Sequence, residues 1–123
     1  MKKYPSVLSI AGSDSGGGAG IQADIKAISA CGAFATTAIT AVTSQNTIGV
    51  QAIHPIPVQH LASQIQSVLS DIQIDAIKIG MLHSAEVIQT VVDKIKPYNI
   101  PHIILDPVMV ATSGDRLLQE EAI

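Results

Sequence analysis

The apolar residues of this chain recur with two different periods, and the alternation between them lays out a fold. A short apolar run from Ser6 to Ala11 ends at Gly12; beyond the glycines that follow, a helical spacing begins at Ile21 and continues through Ile25, Ala27 and Ile28. Gly32 stands where a helix end needs a residue tolerant of positive φ, and Ala35 to Thr43 is a β-branched run suited to a buried strand. Strand, tight loop, helix and strand make a first βαβ unit, with a right-handed crossover expected. From Ser44 to Pro57 the sequence is irregular, and it reads as a loop carrying a short outlying strand at Val50 to His54. Val58, Leu61, Ala62, Ile65, Val68 and Leu69 return to the helical spacing, and Asp75 to Ile79 supplies a strand ending at Gly80. Ser84 can cap a helix running to about Lys96, with Lys94 and Lys96 in its last turn and Pro97 as its stop. His102 to Leu105 is a further strand, closed by Asp106-Pro107.

Strands alternating with helices predict an α/β fold with a mostly parallel, doubly wound sheet. Ligands of such folds sit outside the carboxyl ends of the strands. Those ends are Gly12-Ser13-Asp14, Thr43 to Asn46, Gly80-Met81-Leu82 and Asp106-Pro107-Val108, so four loops are expected to converge on one face.

Composition narrows the picture. Hydrophobic residues make up 47% of the 123 but aromatics only 2%, so the core must be built from Ala, Val, Ile and Leu, as helices on a parallel sheet allow. A net charge of -3 and the absence of any Lys or Arg run argue against nucleic acid as a partner. Ser6 to Ala11 is too short for a signal-peptide core or a membrane span, which predicts a cytoplasmic protein with no membrane partner. Cys31, the lone cysteine, falls in an apolar helical pattern and reads as a small buried hydrophobe in a reducing compartment. Arg116 to Ile123 looks like the start of a helix in which the chain stops, so a truncated piece of a longer protein is expected.

The candidate chemistry lies at the strand ends. Between Gly12 and Gly20 five glycines fall within nine residues, joining a strand to a helix whose free amides could bind an oxyanion or a polar ring edge. A phosphate-binding P-loop would need Gly-Lys-Ser/Thr, and no lysine occurs here before Lys26; the dinucleotide fingerprint begun at Gly16 would need a glycine where Ile21 stands. Asp24, in the following helix, can accept a hydrogen bond from a substrate hydroxyl or merely favour the helix dipole. Gln45 and Asn46 offer carboxamides suited to a heteroaromatic edge, though Asn46 equally suits a turn. Met81 can lie against a flat ring or simply fill space. Asp106 can hold Mg²⁺ near phosphates or punctuate a turn. His54, His60, His83 and His102 have no metal-ligand spacing and are read as structural.

Taken together, Ala11 to Lys26 (AGSDSGGGAGIQADIK), Thr40 to Thr47 (TAVTSQNT), Ile77 to Leu82 (IKIGML) and Leu105 to Met109 (LDPVM) resemble the hydroxymethylpyrimidine/phosphomethylpyrimidine kinases of thiamine biosynthesis, members of the ribokinase-like superfamily. The resemblance covers the chain in order. It implies a three-layer α/β/α fold and phosphoryl transfer from ATP with Mg²⁺ onto 4-amino-5-hydroxymethyl-2-methylpyrimidine, then onto its monophosphate. Carried over residue by residue, it assigns Gln45 and Asp24 to the pyrimidine and its substituents, Gly12, Met81 and Val108 to the frame of the ring, and Asp106 to the metal and phosphate side. It also implies a homodimer. Members of the family are longer, and the glycine-rich anion hole and catalytic aspartate that they carry in their second half are expected beyond residue 123. Without them these residues alone are expected to be inactive, since phosphoryl transfer depends on positioning and charge stabilisation. Two other readings stand beside this one: a pyridoxine or pyridoxal kinase, and a pyrimidine-binding module without turnover.

Overall fold

The computed structural model describes residues 4–80 and 82–106. In chain order they form β1 (Ser6–Asp14), α1 (Gly20–Ala30), β2 (Phe34–Gln45), β3 (Val50–Pro55), α2 (Val58–Leu69), β4 (Ala76–Ile79), α3 (Ala85–Ile95), a 3₁₀ turn (Lys96–Tyr98) and β5 (His102–Leu105). The five strands make one sheet in the order β3-β2-β1-β4-β5. β1 runs parallel to β2 and β4, and β4 parallel to β5, while β3 is an antiparallel edge strand on β2. The mostly parallel sheet predicted from the βα alternation is the one observed.

The sheet sorts its side chains by parity. Leu8 and Ile10 of β1, Ala38 of β2 and Ile77 and Ile79 of β4 join Leu61 and Ile65 of α2 and Val87, Val91 and Ile95 of α3 in one buried cluster. Ser9 points to the opposite face, toward Asp24 of α1. Helices therefore cover both faces, which makes the three layers. β1 lies at the centre of the sheet, so both of its faces are buried and a polar side chain such as Ser9, with no exposed surface, must find a partner.

Local grammar explains most element ends. The Ser84 side chain accepts a hydrogen bond from the Val87 amide, as a helix cap should, and Gly32 takes φ of 83° after α1. Asn99 closes the 3₁₀ turn with φ of 48°, a conformation asparagine tolerates better than most residues. β1 and β2 run further than their apolar patterns, to Asp14 and Gln45, because β1 finds ladder partners in β2 up to Asp14 and Thr43, and β2 finds them in β3 at Ser44 and Gln45.

Two expectations need correction. Cys31 is exposed, not buried: it follows the last residue of α1, donating its amide to the Ala27 carbonyl at 3.1 Å, in the turn that leads from the helix into β2. The apolar face read for α1 is also narrower than expected. Ile21 is buried, but Ile25 is 38% exposed and Ala27 is exposed. α1 packs chiefly on β1 and β2, and a helix seated at one side of a sheet face leaves part of its stripe uncovered. β5 is likewise bare, with Ile103, Ile104 and Leu105 exposed by 53%, 55% and 66%. The helical start read at Arg116 lies outside the described residues.

Candidate functional site

At the carboxyl end of β1 the chain does something its glycines alone do not announce. The Asp14 carboxylate turns back into the loop and accepts the Gly16 amide on Oδ1 at 2.8 Å and the Gly18 and Ala19 amides on Oδ2 at 3.1 and 2.8 Å. Gln22 ties the same loop from the helix side, its Oε1 accepting the Asp14 amide at 2.8 Å and its Nε2 donating to Ser13 Oγ at 2.7 Å. Lys26 donates to the Gly17 carbonyl at 2.9 Å. Three amides of the loop leading into α1 thus already hold an anion supplied by the chain, while α1 itself carries no side-chain cap.

Glycine is required where the loop closes on β1. Gly20 has φ of 60° and forms a bridge with Ser13, and a Cβ there would run into the Gly12 carbonyl oxygen. The β1 register shifts between Ala11 and Ser13, which turns the end of the strand toward the pocket.

The pocket itself is an open cleft of about 490 Å³, a volume that includes its solvent-filled mouth. Its wall includes Gly12, Asp14 and Gly20 from the glycine-rich segment, Thr43 and Gln45 from β2, and Lys78 from β4. Gln45 is held by its backbone as well as by its side chain. Ser15 Oγ donates to the Gln45 carbonyl at 2.6 Å and accepts its amide at 2.7 Å. Thr43 Oγ1 lies 3.0 Å from Gln45 Oε1 and donates to the Ser13 carbonyl at 2.7 Å.

Beneath the cleft lies a charged pair. Lys78 Nζ donates to Asp24 Oδ2 at 3.0 Å and Oδ1 at 3.2 Å, and Ser9 Oγ donates to Oδ2 at 2.7 Å. Both side chains are mostly buried, at 21% and 17% exposure. The Asp106 carboxylate, 70% exposed, lies 4.0 Å from the same ammonium. The two carboxylates from different strands and helices are therefore linked through one cation.

Of the residues singled out in the sequence, Gly12 and Gln45 stand in the pocket wall, while Asp24 reaches the pocket through Lys78 and not directly. Asp106 sits at the end of β5, adjacent to the same ammonium. Asn46 takes the turn role: its Oδ1 accepts the Ile48 amide at 2.9 Å and the Gly49 amide at 3.2 Å. Met81, Val108 and the expected catalytic aspartate lie outside the described residues. Among the described residues no group of three or more His, Cys, Asp or Glu could hold a metal. Asp106 supplies one carboxylate, which suits Mg²⁺ only in the manner usual for that ion, where substrate phosphates and waters complete the shell. Among those residues no helix is long and apolar enough to cross a membrane.

Sequence reasoning passed over Asp14, Ser15, Thr43 and Lys78. A signal existed for two of them. Lys78 is the one charge in the apolar strand Ala76–Ile79, where a buried ammonium demands a counterion. Asp14 precedes Ser-Gly-Gly, the composition of a turn in which an aspartate folds onto later amides. For Ser15 and Thr43 the pairing spans 30 residues and is visible only in three dimensions.

The chain and its fold are similar to those of known kinases. The phosphomethylpyrimidine kinase family model matches residues 14–123. The hydroxymethylpyrimidine/phosphomethylpyrimidine kinase of Haemophilus influenzae is 52% identical over the whole chain, which covers 46% of that protein. Among solved structures, the phosphomethylpyrimidine kinase of Clostridium difficile 630 superimposes with a TM-score of 0.89 at 47% identity, over 96% of this chain and 51% of that one. The pyridoxal kinase of Staphylococcus aureus in complex with AMP-PCP and pyridoxal gives a TM-score of 0.79 at 34% identity, over 87% of this chain and 40% of that one. The chain spans about half the length of such relatives. With a match that runs from the capped loop at Asp14 through all four strand ends, the chain belongs to the phosphomethylpyrimidine kinase family.

Proposed function

We propose that this chain is the amino-terminal, substrate-binding part of a hydroxymethylpyrimidine/phosphomethylpyrimidine kinase. The reaction is phosphoryl transfer from ATP to 4-amino-5-hydroxymethyl-2-methylpyrimidine, and then to its monophosphate, yielding the pyrophosphate used to make thiamine phosphate. The observation that carries this reading is the cleft at the carboxyl ends of the strands in which Gly12, Gln45 and Lys78 meet, beside a loop whose Gly16, Gly18 and Ala19 amides are taken by Asp14. Such a site suits the flat, polar ring. Gln45 reads the heteroaromatic edge, Gly12 lets the ring lie close to backbone, and Met81 and Val108 complete the frame. Asp24 contributes through Lys78, whose ammonium it holds. When bound, Mg²⁺ would neutralise charge on the transferring phosphates, and Asp106 is the residue offered to it. The base for the hydroxymethyl group and the nucleotide's own cradle belong to the second half of the protein, beyond residue 123.

The test is turnover by the full-length protein with ATP and each of two acceptors, the hydroxymethylpyrimidine and pyridoxal. A strong preference for the pyrimidine is expected. The similarity to a pyridoxal kinase supports the second reading, and a strong preference for pyridoxal would establish it instead. Pyrimidine binding by calorimetry without turnover of either acceptor would point to a binding module. The location proposed is cytoplasmic. A homodimer is proposed as well, its surface including the exposed Val42 and Ile53 of the β2–β3 pair, and sedimentation of the full-length protein tests it.

A further inference from the structure

The hydrogen bonds behind Gln45 do not balance in one orientation of its carboxamide, and they do in the other. Thr43 Oγ1 has two acceptors before it, the Ser13 carbonyl at 2.7 Å and Gln45 Oε1 at 3.0 Å, but a hydroxyl carries one proton. The Ser13 carbonyl can only accept, and Thr43 is 5% exposed, so no second donor from bulk water is at hand. The proton belongs to Ser13, the shorter contact. A half-turn of the terminal amide exchanges its oxygen and nitrogen without moving any other atom of the side chain. Nε2 then donates to the lone pair of Thr43 Oγ1, and all three groups are satisfied. The Ser15 clamp on the Gln45 backbone keeps the side chain at this distance.

We infer that Thr43 is a positioning residue that fixes the polarity of Gln45, so that the carboxamide oxygen faces the cleft and selects a ligand edge bearing an N–H donor. The inference rests on the proposed reading of the cleft as a pyrimidine site and deepens it. It explains how a residue with both a donor and an acceptor can discriminate at all. A free carboxamide flips to suit either pattern, whereas one tethered through Nε2 accepts only. An exocyclic amine is the matching group, and a ring carbonyl in its place presents an acceptor to an acceptor.

The experiment measures binding to the full-length protein of 4-amino-5-hydroxymethyl-2-methylpyrimidine and of its 4-oxo analogue. The unsubstituted protein should prefer the amine by about tenfold or more, the scale of one mismatched buried hydrogen bond. Thr43→Val keeps the shape but removes Oγ1, and the preference should fall toward unity, chiefly through tighter binding of the oxo compound; Thr43→Ser should restore it. Retention of the full preference by Thr43→Val would overturn the inference. Should Thr43→Val fail to fold, Thr43→Ala, which also removes Oγ1, takes its place: a preference that falls toward unity supports the inference, and full retention overturns it. Gln45→Ala separates the two levels. If it leaves both affinities unchanged, Gln45 is no ligand contact and the reading of the cleft falls together with the inference. If it weakens the amine while Thr43→Val retains the preference, only the inference falls.

Discussion

Lys78 and Asp24 join opposite ends of the fold's first half. The ammonium from β4 meets both oxygens of a carboxylate from α1, 54 residues away in sequence, on the face of the sheet that α1 shares with Ser9. With each side chain largely withdrawn from water, removal of one partner leaves the other's charge uncompensated. In the full-length protein Lys78→Met should cost about 1–3 kcal/mol of stability, and the double substitution with Asp24→Asn should cost less than the sum of the two. Urea unfolding of the four proteins measures the coupling; strict additivity would show that the pair contributes nothing as a pair.

Asp14 gives a second prediction, with a distinctive readout. Asp14→Ala strips three amides of their acceptor at once, and a loss of about 1–2 kcal/mol is expected from the capping interactions alone. The bared loop amides should then take up an anion from solution. Sulfate or inorganic phosphate should raise the melting temperature of Asp14→Ala more than that of the unsubstituted protein, as differential scanning fluorimetry would reveal. An equal response in both would mean that the amides had found another partner.

His83, just past the β4 strand end, gives the fold a pH dependence of known sign. Burial lowers its imidazole below the ordinary value of 6.5, and its Nδ1 has no hydrogen-bond partner among the described residues. Below 6.5 the unfolded chain takes up the proton more readily than the folded one, so stability rises with pH there. The contribution is complete above 6.5 and is lost as pH falls from 6.5 through the folded value. His83→Gln should flatten this part of the profile of urea midpoint against pH; an unchanged slope would assign it to other groups.

The bare β5 predicts how these 123 residues behave alone. A strand with Ile103, Ile104 and Leu105 exposed is a template for pairing with another chain. The isolated chain should associate progressively with rising concentration in light scattering, and a protein extended to the length of its relatives should not go beyond the proposed dimer. A sharp, reversible, monomeric melt of the isolated chain would contradict this.

Much of this fold could be read from the order of residues, because its determinants are local. Val58–Leu69 and His102–Leu105 have the bounds expected from periodicity, and Ser84 caps as its type and place suggest. What escaped was set by partners distant in sequence. α1 buries Ile21 but not Ile25 because of where the helix sits on the sheet, which no heptad count reveals, and Cys31 followed the helix out into solvent for the same reason. The site divides along the same line. Gly12 and Gln45 are placed at strand ends by rule, whereas the pairing of Asp24 with Lys78, 54 residues away, is visible only in three dimensions.

The carboxylate lodged in the glycine-rich loop also bears on which way round a substrate lies. A resident anion repels a second one, and three amides only partly quench it. On the proposed reading, a phosphate carried by the ligand is therefore turned away from the Asp14 carboxylate, while the ring stays against Gly12 and Gln45. On the proposed reading, the alcohol and its monophosphate present the same face to this half of the protein. The first phosphorylation leaves the recognised end untouched, and one cleft can serve two successive steps without being rebuilt between them.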